Sequence, residues 1–96
     1  MFENVKFLVV GAGFSGSVIA ERIANVLNES VLVIDSKLHV GGNSYSETDS
    51  ASGIECHRYG SHIFHTSSES VWNYIRRFTE FNSYQHKVLT TYQGHV

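Results

Sequence analysis

Proline is absent from these 96 residues, cysteine and tryptophan occur once each, and charged side chains make up only 17%. Each scarcity excludes something. Without proline or a Gly/Ser-rich run there is no linker signature, and no internal repeat is visible, so the chain reads as one domain or part of one. A single cysteine excludes an internal disulfide and suits a reducing compartment, so the cytoplasm is expected. No uninterrupted apolar run is long enough to span a bilayer. The start, Met1-Phe2-Glu3-Asn4, lacks the basic n-region of a secretion signal. A net charge of −2 argues against nucleic acid as the main partner.

What the chain has is concentrated near its start. Lys6-Phe7-Leu8-Val9-Val10 reads as the end of a buried strand, spanning about 5–10, and Gly11-Ala12-Gly13-Phe14-Ser15-Gly16 as a glycine turn that opens a helix. A G-x-G-x-x-G triplet alone is weak evidence, but here a strand precedes it and helical spacing follows. Gly11 permits the tight turn, Gly13 lets a ligand approach the backbone, and Gly16 lets helix and strand pack closely. Such a turn aims backbone N–H groups and the positive end of a helix dipole at a pyrophosphate. The helix is expected from Phe14 to about Asn28, with Val18, Ala20, Ile23, Ala24 and Leu27 against the sheet and Glu21, Arg22 and Asn25 facing water.

Val31-Leu32-Val33-Ile34-Asp35 then reads as a second buried parallel strand ending in an acid. Asp35 falls about twenty residues past the last glycine, where a carboxylate accepts hydrogen bonds from ribose hydroxyls and repels a 2′-phosphate, disfavouring NADP. The alternative is a turn residue closing the strand. Together these features predict an α/β chain with a Rossmann-like βαβ dinucleotide-binding (FAD/NAD(P)-binding) fold, incomplete at this length.

A second glycine loop, His39-Val40-Gly41-Gly42-Asn43-Ser44-Tyr45, favours a flavin dinucleotide over a nicotinamide one. Its glycines let the chain pass a second part of an elongated ligand, with backbone N–H groups or the Asn43 amide as donors. A Gly-Asn hairpin turn is the competing reading. Residues 47–53 read as a polar hairpin tip, with Ile54 to Tyr59 returning as a strand.

The run Cys56-His57-Arg58-Tyr59-Gly60-Ser61-His62-Ile63-Phe64-His65-Thr66 raises a metal site, but no second C-x-x-C or H-x-x-H pair closes a tetrahedron. The interleaved apolar residues fit a pocket wall, and no metal is expected. Cys56 lacks an orienting third group and reads as a small packed residue rather than a nucleophile. Thr66-Ser67-Ser68-Glu69 is a capping-box signal for a helix through about Thr79, buried through Val71, Trp72, Ile75 and Phe78.

The segments Gly11–Gly16, His39–Tyr45, His57–Thr66 and Val71-Trp72-Asn73-Tyr74 closely resemble the N-terminal part of bacterial UDP-galactopyranose mutases. The first motif is shared by many flavoproteins, whereas G-G-N-S-Y with Y-G-x-H-I-F-H-T is specific to that family. The resemblance implies an FAD enzyme, an isomerase that interconverts UDP-galactopyranose and UDP-galactofuranose without net redox change. It further implies catalysis by reduced flavin, whose N5 attacks the anomeric carbon.

By position, Gly11, Gly13, Phe14, Ser15 and Gly16 would lie along the pyrophosphate, Asp35 at the adenosine ribose with Ser36 beside it, and Gly42 and Asn43 by the ribitol. Tyr59 joins the cofactor contacts, and His62, Ile63 and His65 would line the isoalloxazine. His65 is the catalytic-support candidate, stabilising reduced anionic flavin or responding to redox state. His86, in Tyr84-Gln85-His86-Lys87-Val88 on the strand after the last helix, is the candidate contact to the substrate diphosphate sugar.

Family members run to several hundred residues, and their substrate arginines lie beyond residue 96. Arg58, Arg76 and Arg77 do not match them. The expectation is therefore the N-terminal part of an FAD-binding domain over 1–96, breaking off inside a hairpin at Tyr92–Val96 and inactive alone. A chain this short buries only about 60–65% of the surface its unfolded form exposes, and unpaired strand edges predict self-association. The alternatives are a generic, amine-oxidase-like FAD oxidoreductase and a fragment with no enzymatic role.

Overall fold

A computed structural model describes residues 2–96; Met1, the first residue of the start segment, lies outside them. The chain divides into two compact units, one ending at His62 and the other running from Ile63 to Val96.

The first unit is built on β1 (Phe7–Val10), α1 (Phe14–Val26) and β2 (Val31–Ile34). β1 and β2 pair in parallel, Phe7 opposite Val31 through Val10 opposite Ile34. β1 starts later than the apolar run suggests because the Lys6 N–H is taken by the Ser30 hydroxyl, 3.0 Å away, rather than by a strand. β2 ends at Ile34 because Asp35 turns its carboxylate to the glycine turn instead of continuing the ladder. α1 stops at Val26, two residues short of expectation. Leu27 is its C-cap and Asn28 adopts φ 54°, the left-handed conformation that asparagine tolerates at a helix end.

Among the described residues only Ala12 and Ala20 are buried apolar side chains. A two-stranded sheet is about 5 Å between strands, too narrow to cover the whole expected stripe of a helix about 10 Å across. Ala20 is covered, Val18 and Ile23 are half-buried, and Ala24 and Leu27 lie exposed. On the expected water face, the Glu21 side chain keeps only 14% of its exposure. Its carboxylate is gripped by the Arg22 guanidinium at 2.6 and 2.7 Å and by the Asn25 amide at 3.0 Å.

A 3-10 turn at Gly42–Ser44 leads into an antiparallel hairpin of β3 (Ser46–Thr48) and β4 (Glu55–His57). β3 claims Glu47 and Thr48 from the predicted loop, and the tip is Asp49–Gly53. There Asp49 accepts from the Ser52 N–H and hydroxyl at 2.8 and 2.6 Å. The returning strand is shorter than Ile54–Tyr59, since the chain turns again from Arg58.

In the second unit α2 spans Glu69–Ile75. Its N-cap is Ser68, accepting from the Val71 N–H, and not Thr66, whose hydroxyl instead accepts from the Ser68 N–H at 3.1 Å. The cap lies two residues later than the capping-box reading, which puts Glu69 in the first turn. The helix ends at Ile75 and a turn carries the chain to Phe78. Trp72 anchors it, edge-on to Phe64 and Phe81 at 5.1 and 5.2 Å, with its indole N–H donating to the Thr66 carbonyl at 3.0 Å. Val71 and Phe78 are exposed rather than buried.

Tyr84–Val88 forms no strand, for no described segment pairs with it. Tyr92 and His95 exchange both backbone hydrogen bonds around Gln93 (φ 49°) and Gly94 (φ 80°), the two left-handed residues of a tight hairpin turn.

Candidate functional site

The first unit gathers most of the predicted cofactor residues around one turn. Gly11, at φ 106°, makes a bend that L side chains rarely adopt, and its N–H donates to the Ile34 carbonyl at 2.7 Å, tying the turn to β2. Gly16 is required by packing: a Cβ there would sit 1.8 Å from the Gly11 carbonyl oxygen and 3.2 Å from Val9 Cγ1. The N-cap of α1 is Gly13, which has no side chain to occupy the first-turn N–H groups. Those groups have no intrahelical acceptor by construction, and no acidic residue stands in that turn. A helix end of this kind suits an anion. Phe14 and Ser15, its first residues, are both exposed.

Asp35 closes the other side. One carboxylate oxygen accepts from the Ala12 N–H at 2.7 Å and the other from the Lys37 N–H at 2.7 Å. These bonds, Ala12's first, hold its pKa below the usual aspartate value. The acid is therefore ionised and fixed in direction, and each oxygen keeps lone-pair capacity for a further donor. Ser36 beside it is exposed.

The second glycine loop lies against the first. The Gly41 N–H donates to the Ala12 carbonyl at 2.8 Å, and a Cβ on Gly42 would lie 2.9 Å from Gly13 Cα. Gly42 is glycine because one backbone passes another there. This explains its smallness without a ligand and still lays Asn43 beside the dinucleotide turn.

Around Asn43 stands a cluster to which composition and spacing assigned no role. The Lys37 ammonium donates to Asn43 Oδ1 at 3.0 Å and sits 3.9 Å over the Tyr59 ring. His39 Nδ1 faces the Val40 carbonyl at 3.0 Å and so carries the proton. Nε2 hydrogen-bonds the Tyr59 hydroxyl at 2.7 Å. The His39 ring stacks on Tyr45 at 3.8 Å. The Tyr45 hydroxyl donates to Glu47 at 2.9 Å, which raises its pKa, and Glu47 also meets Arg58 at 3.0 Å. Lys37 and His39 could have been singled out by their places just after the acid and just before the glycine pair.

His62 closes the first unit. Its N–H donates to His57 Nδ1 at 3.1 Å, and the two rings stack at 4.0 Å. Cys56 is exposed with a free thiol, so packing does not account for it. Among the described residues no three His, Cys, Asp or Glu side chains converge as metal ligands. Ile63, His65 and His86 belong to the second unit. All three are exposed, and His86 Nδ1 lies 3.4 Å from the Tyr84 hydroxyl.

Comparison with known proteins agrees with the fold. The profile of the NAD(P)-binding Rossmann-like domain family matches residues 9–78. The chain is 44% identical over 94 residues to a probable UDP-galactopyranose mutase of Klebsiella pneumoniae, covering 98% of this chain and 24% of the relative. It is 47% identical over 86 residues to the UDP-galactopyranose mutase of Mycoplasma genitalium, covering 90% of this chain and 21% of that one. It is also 42% identical over 91 residues to dTDP-fucopyranose mutase of Escherichia coli, covering 95% and 24%. The chain therefore spans about a quarter of the length of these relatives. The resemblance carried by the motifs extends over nearly all of its residues. The chain belongs to the NAD(P)-binding Rossmann-like domain family.

Proposed function

We propose that this chain binds FAD and contributes that site to an enzyme interconverting the pyranose and furanose forms of a UDP-linked hexose, UDP-galactose being the first candidate. The observation that carries the reading is the pair of interlocked glycine loops at an uncapped helix N-terminus, faced by the ionised Asp35. Gly13, Phe14, Ser15 and Gly16 hold the pyrophosphate by backbone N–H groups, and Gly11 lies along it in the bend that presents them. Asp35 accepts from the adenosine ribose with Ser36 beside it, and Gly42 and Asn43 meet the ribitol. Tyr59 joins the cofactor contacts, His62, Ile63 and His65 line the isoalloxazine, with His65 in support of its chemistry, and His86 meets the substrate diphosphate sugar.

Reduced FAD supplies a nucleophilic nitrogen when bound, and the protein's share is binding, orientation and charge. Of the four arginines, Arg22 pairs with Glu21 and Arg58 with Glu47, while Arg76 lies over Trp72 and Arg77 over Tyr74. No turnover of a sugar nucleotide is expected from the 96 residues alone. A dTDP sugar is the second substrate reading, favoured by the fucopyranose mutase relative.

Location in a reducing cytoplasm fits the free Cys56 thiol. Association of two copies through the exposed apolar residues Leu8, Val10, Val33 and Ile34 fits the two-stranded sheet.

The test is titration with FAD, NADH and NADPH by fluorescence and calorimetry, followed by a ring-interconversion assay with dithionite-reduced FAD and UDP-galactofuranose. Saturable binding of FAD in preference to both nicotinamides is expected, with NADPH weakest and no turnover. Preference for a nicotinamide cofactor contradicts the flavin reading, and turnover by this chain alone contradicts the division of labour.

A further inference from the structure

We propose that Lys37 is a positioning residue for the dinucleotide, acting through the Asn43 carboxamide rather than on the ligand itself. The inference rests on the cofactor reading above and adds a residue to it.

Lys37 is fastened at both ends. Its backbone N–H donates to Asp35 Oδ1 at 2.7 Å, while its ammonium donates to Asn43 Oδ1 at 3.0 Å and lies 3.9 Å over the Tyr59 ring. Tyr59 is itself held by His39 at 2.7 Å, and His39 by its stack on Tyr45. The half-buried lysine thus joins the acid at the end of β2, through its backbone N–H, to the second glycine loop, through its ammonium.

The chemical consequence lies at Asn43. An asparagine amide can flip, exchanging an acceptor for two donors. With the ammonium on Oδ1, only one orientation survives, and it turns the Nδ2 hydrogens away from Lys37. Asn43 follows Gly42, which abuts Gly13. The residue that carries the fixed donors is thus the next one after the contact with the first glycine turn, and such donors suit a hydroxyl or phosphate oxygen. Without Lys37 the carboxamide has to be ordered at the moment of binding, and affinity falls by that cost.

The experiment is a double-mutant cycle on FAD affinity with Lys37→Met, Asn43→Ala and the pair, alongside Lys37→Arg. Circular-dichroism melts of every variant serve as the folding control. Lys37→Met is expected to weaken FAD binding about five- to tenfold, the cost of ordering one side chain at the moment of binding. The double variant should bind no more weakly than Asn43→Ala alone, and Lys37→Arg should return to within about twofold of wild type.

Additive losses would mean that Lys37 touches the ligand directly and overturn the proposal. The Asn43 side-chain amide resonances of the ligand-free protein give a second readout. They should shift in Lys37→Met and recover in Lys37→Arg, and unchanged resonances in Lys37→Met overturn the proposal whatever the affinities. A wild-type chain that takes up no FAD overturns the cofactor reading instead, and the amide resonances then still decide whether Lys37 holds Asn43.

Discussion

Replacing Gly16 by alanine should unfold this chain under conditions where the Gly13→Ala chain stays folded. A Cβ at Gly16 meets the Gly11 carbonyl oxygen at 1.8 Å, the carbonyl carbon at 3.0 Å and Val9 Cγ1 at 3.2 Å. Two of these are backbone atoms of a turn fastened to β2 by the bond from the Gly11 N–H to the Ile34 carbonyl. The alanine cannot be accommodated by a rotamer change, so α1 must move off the turn by about 1.5 Å to restore a van der Waals contact. That opens the seam where Ala12 and Ala20, the buried apolar residues among those described, lie.

Overpacking of a fitted seam costs about 1–3 kcal/mol and sometimes more. A chain of this size has on the order of 5 kcal/mol to lose at the low end of the usual range. Gly16→Ala should therefore lower Tm by on the order of 10 °C or more, at roughly 4–8 °C per kcal/mol. At Gly13, φ is −80° and the added Cβ meets Gly42 Cα at an ordinary 3.8 Å. Gly13→Ala should be neutral or stabilising by up to about 1 kcal/mol through the unfolded state. The assay is thermal and urea melting by circular dichroism. A Gly16→Ala chain melting within about 2 °C of wild type would refute the packing argument.

The acid limb of stability gives a second prediction. Asp35 titrates below its unfolded value, as do Asp49, held by Ser52, and Glu55, held by Ser46 and Thr48. Their contribution is complete above about pH 4–5 and drains away as pH falls through the lower folded values. Asp35→Asn should make Tm less steeply dependent on pH between about 5 and 3, and an unchanged slope would contradict the bonds drawn to Ala12 and Lys37. At the alkaline end, Tyr45 is held neutral first by its bond to Glu47. Glu47→Gln should let one tyrosine ionise at lower pH in an absorbance titration at the tyrosinate band, while Tyr45→Phe removes that transition.

The βαβ unit was legible because its signals are local. A strand, three glycines at fixed spacing and an acid at the next strand end each constrain a backbone that contacts its near neighbours. Element ends were less legible, since side chains set them: Ser30 takes the Lys6 N–H, Asp35 leaves the ladder for Ala12, and Ser68 caps α2 in place of Thr66. The apolar stripe of α1 was overdrawn because periodicity reports which residues suit burial. The two-stranded sheet covers only part of that stripe.

Gly42 shows the same limit in the site. Its conformational freedom could be read from sequence, but that it is pressed against Gly13 depends on the Gly41–Ala12 bond between segments far apart in the chain. The Lys37–Tyr59–His39–Tyr45 cluster was hidden for the same reason. Nothing in spacing joins residues 37 and 59 until the hairpin brings them together.

The central claim is that the two glycine loops and Asp35 form one dinucleotide site. Amide resonances followed by NMR during titration with FAD test it most directly. Shifts should saturate together and concentrate at residues 11–17, 35–37 and 41–45. Saturable shifts that leave these three segments untouched, or no shifts from a folded chain at millimolar FAD, would contradict it.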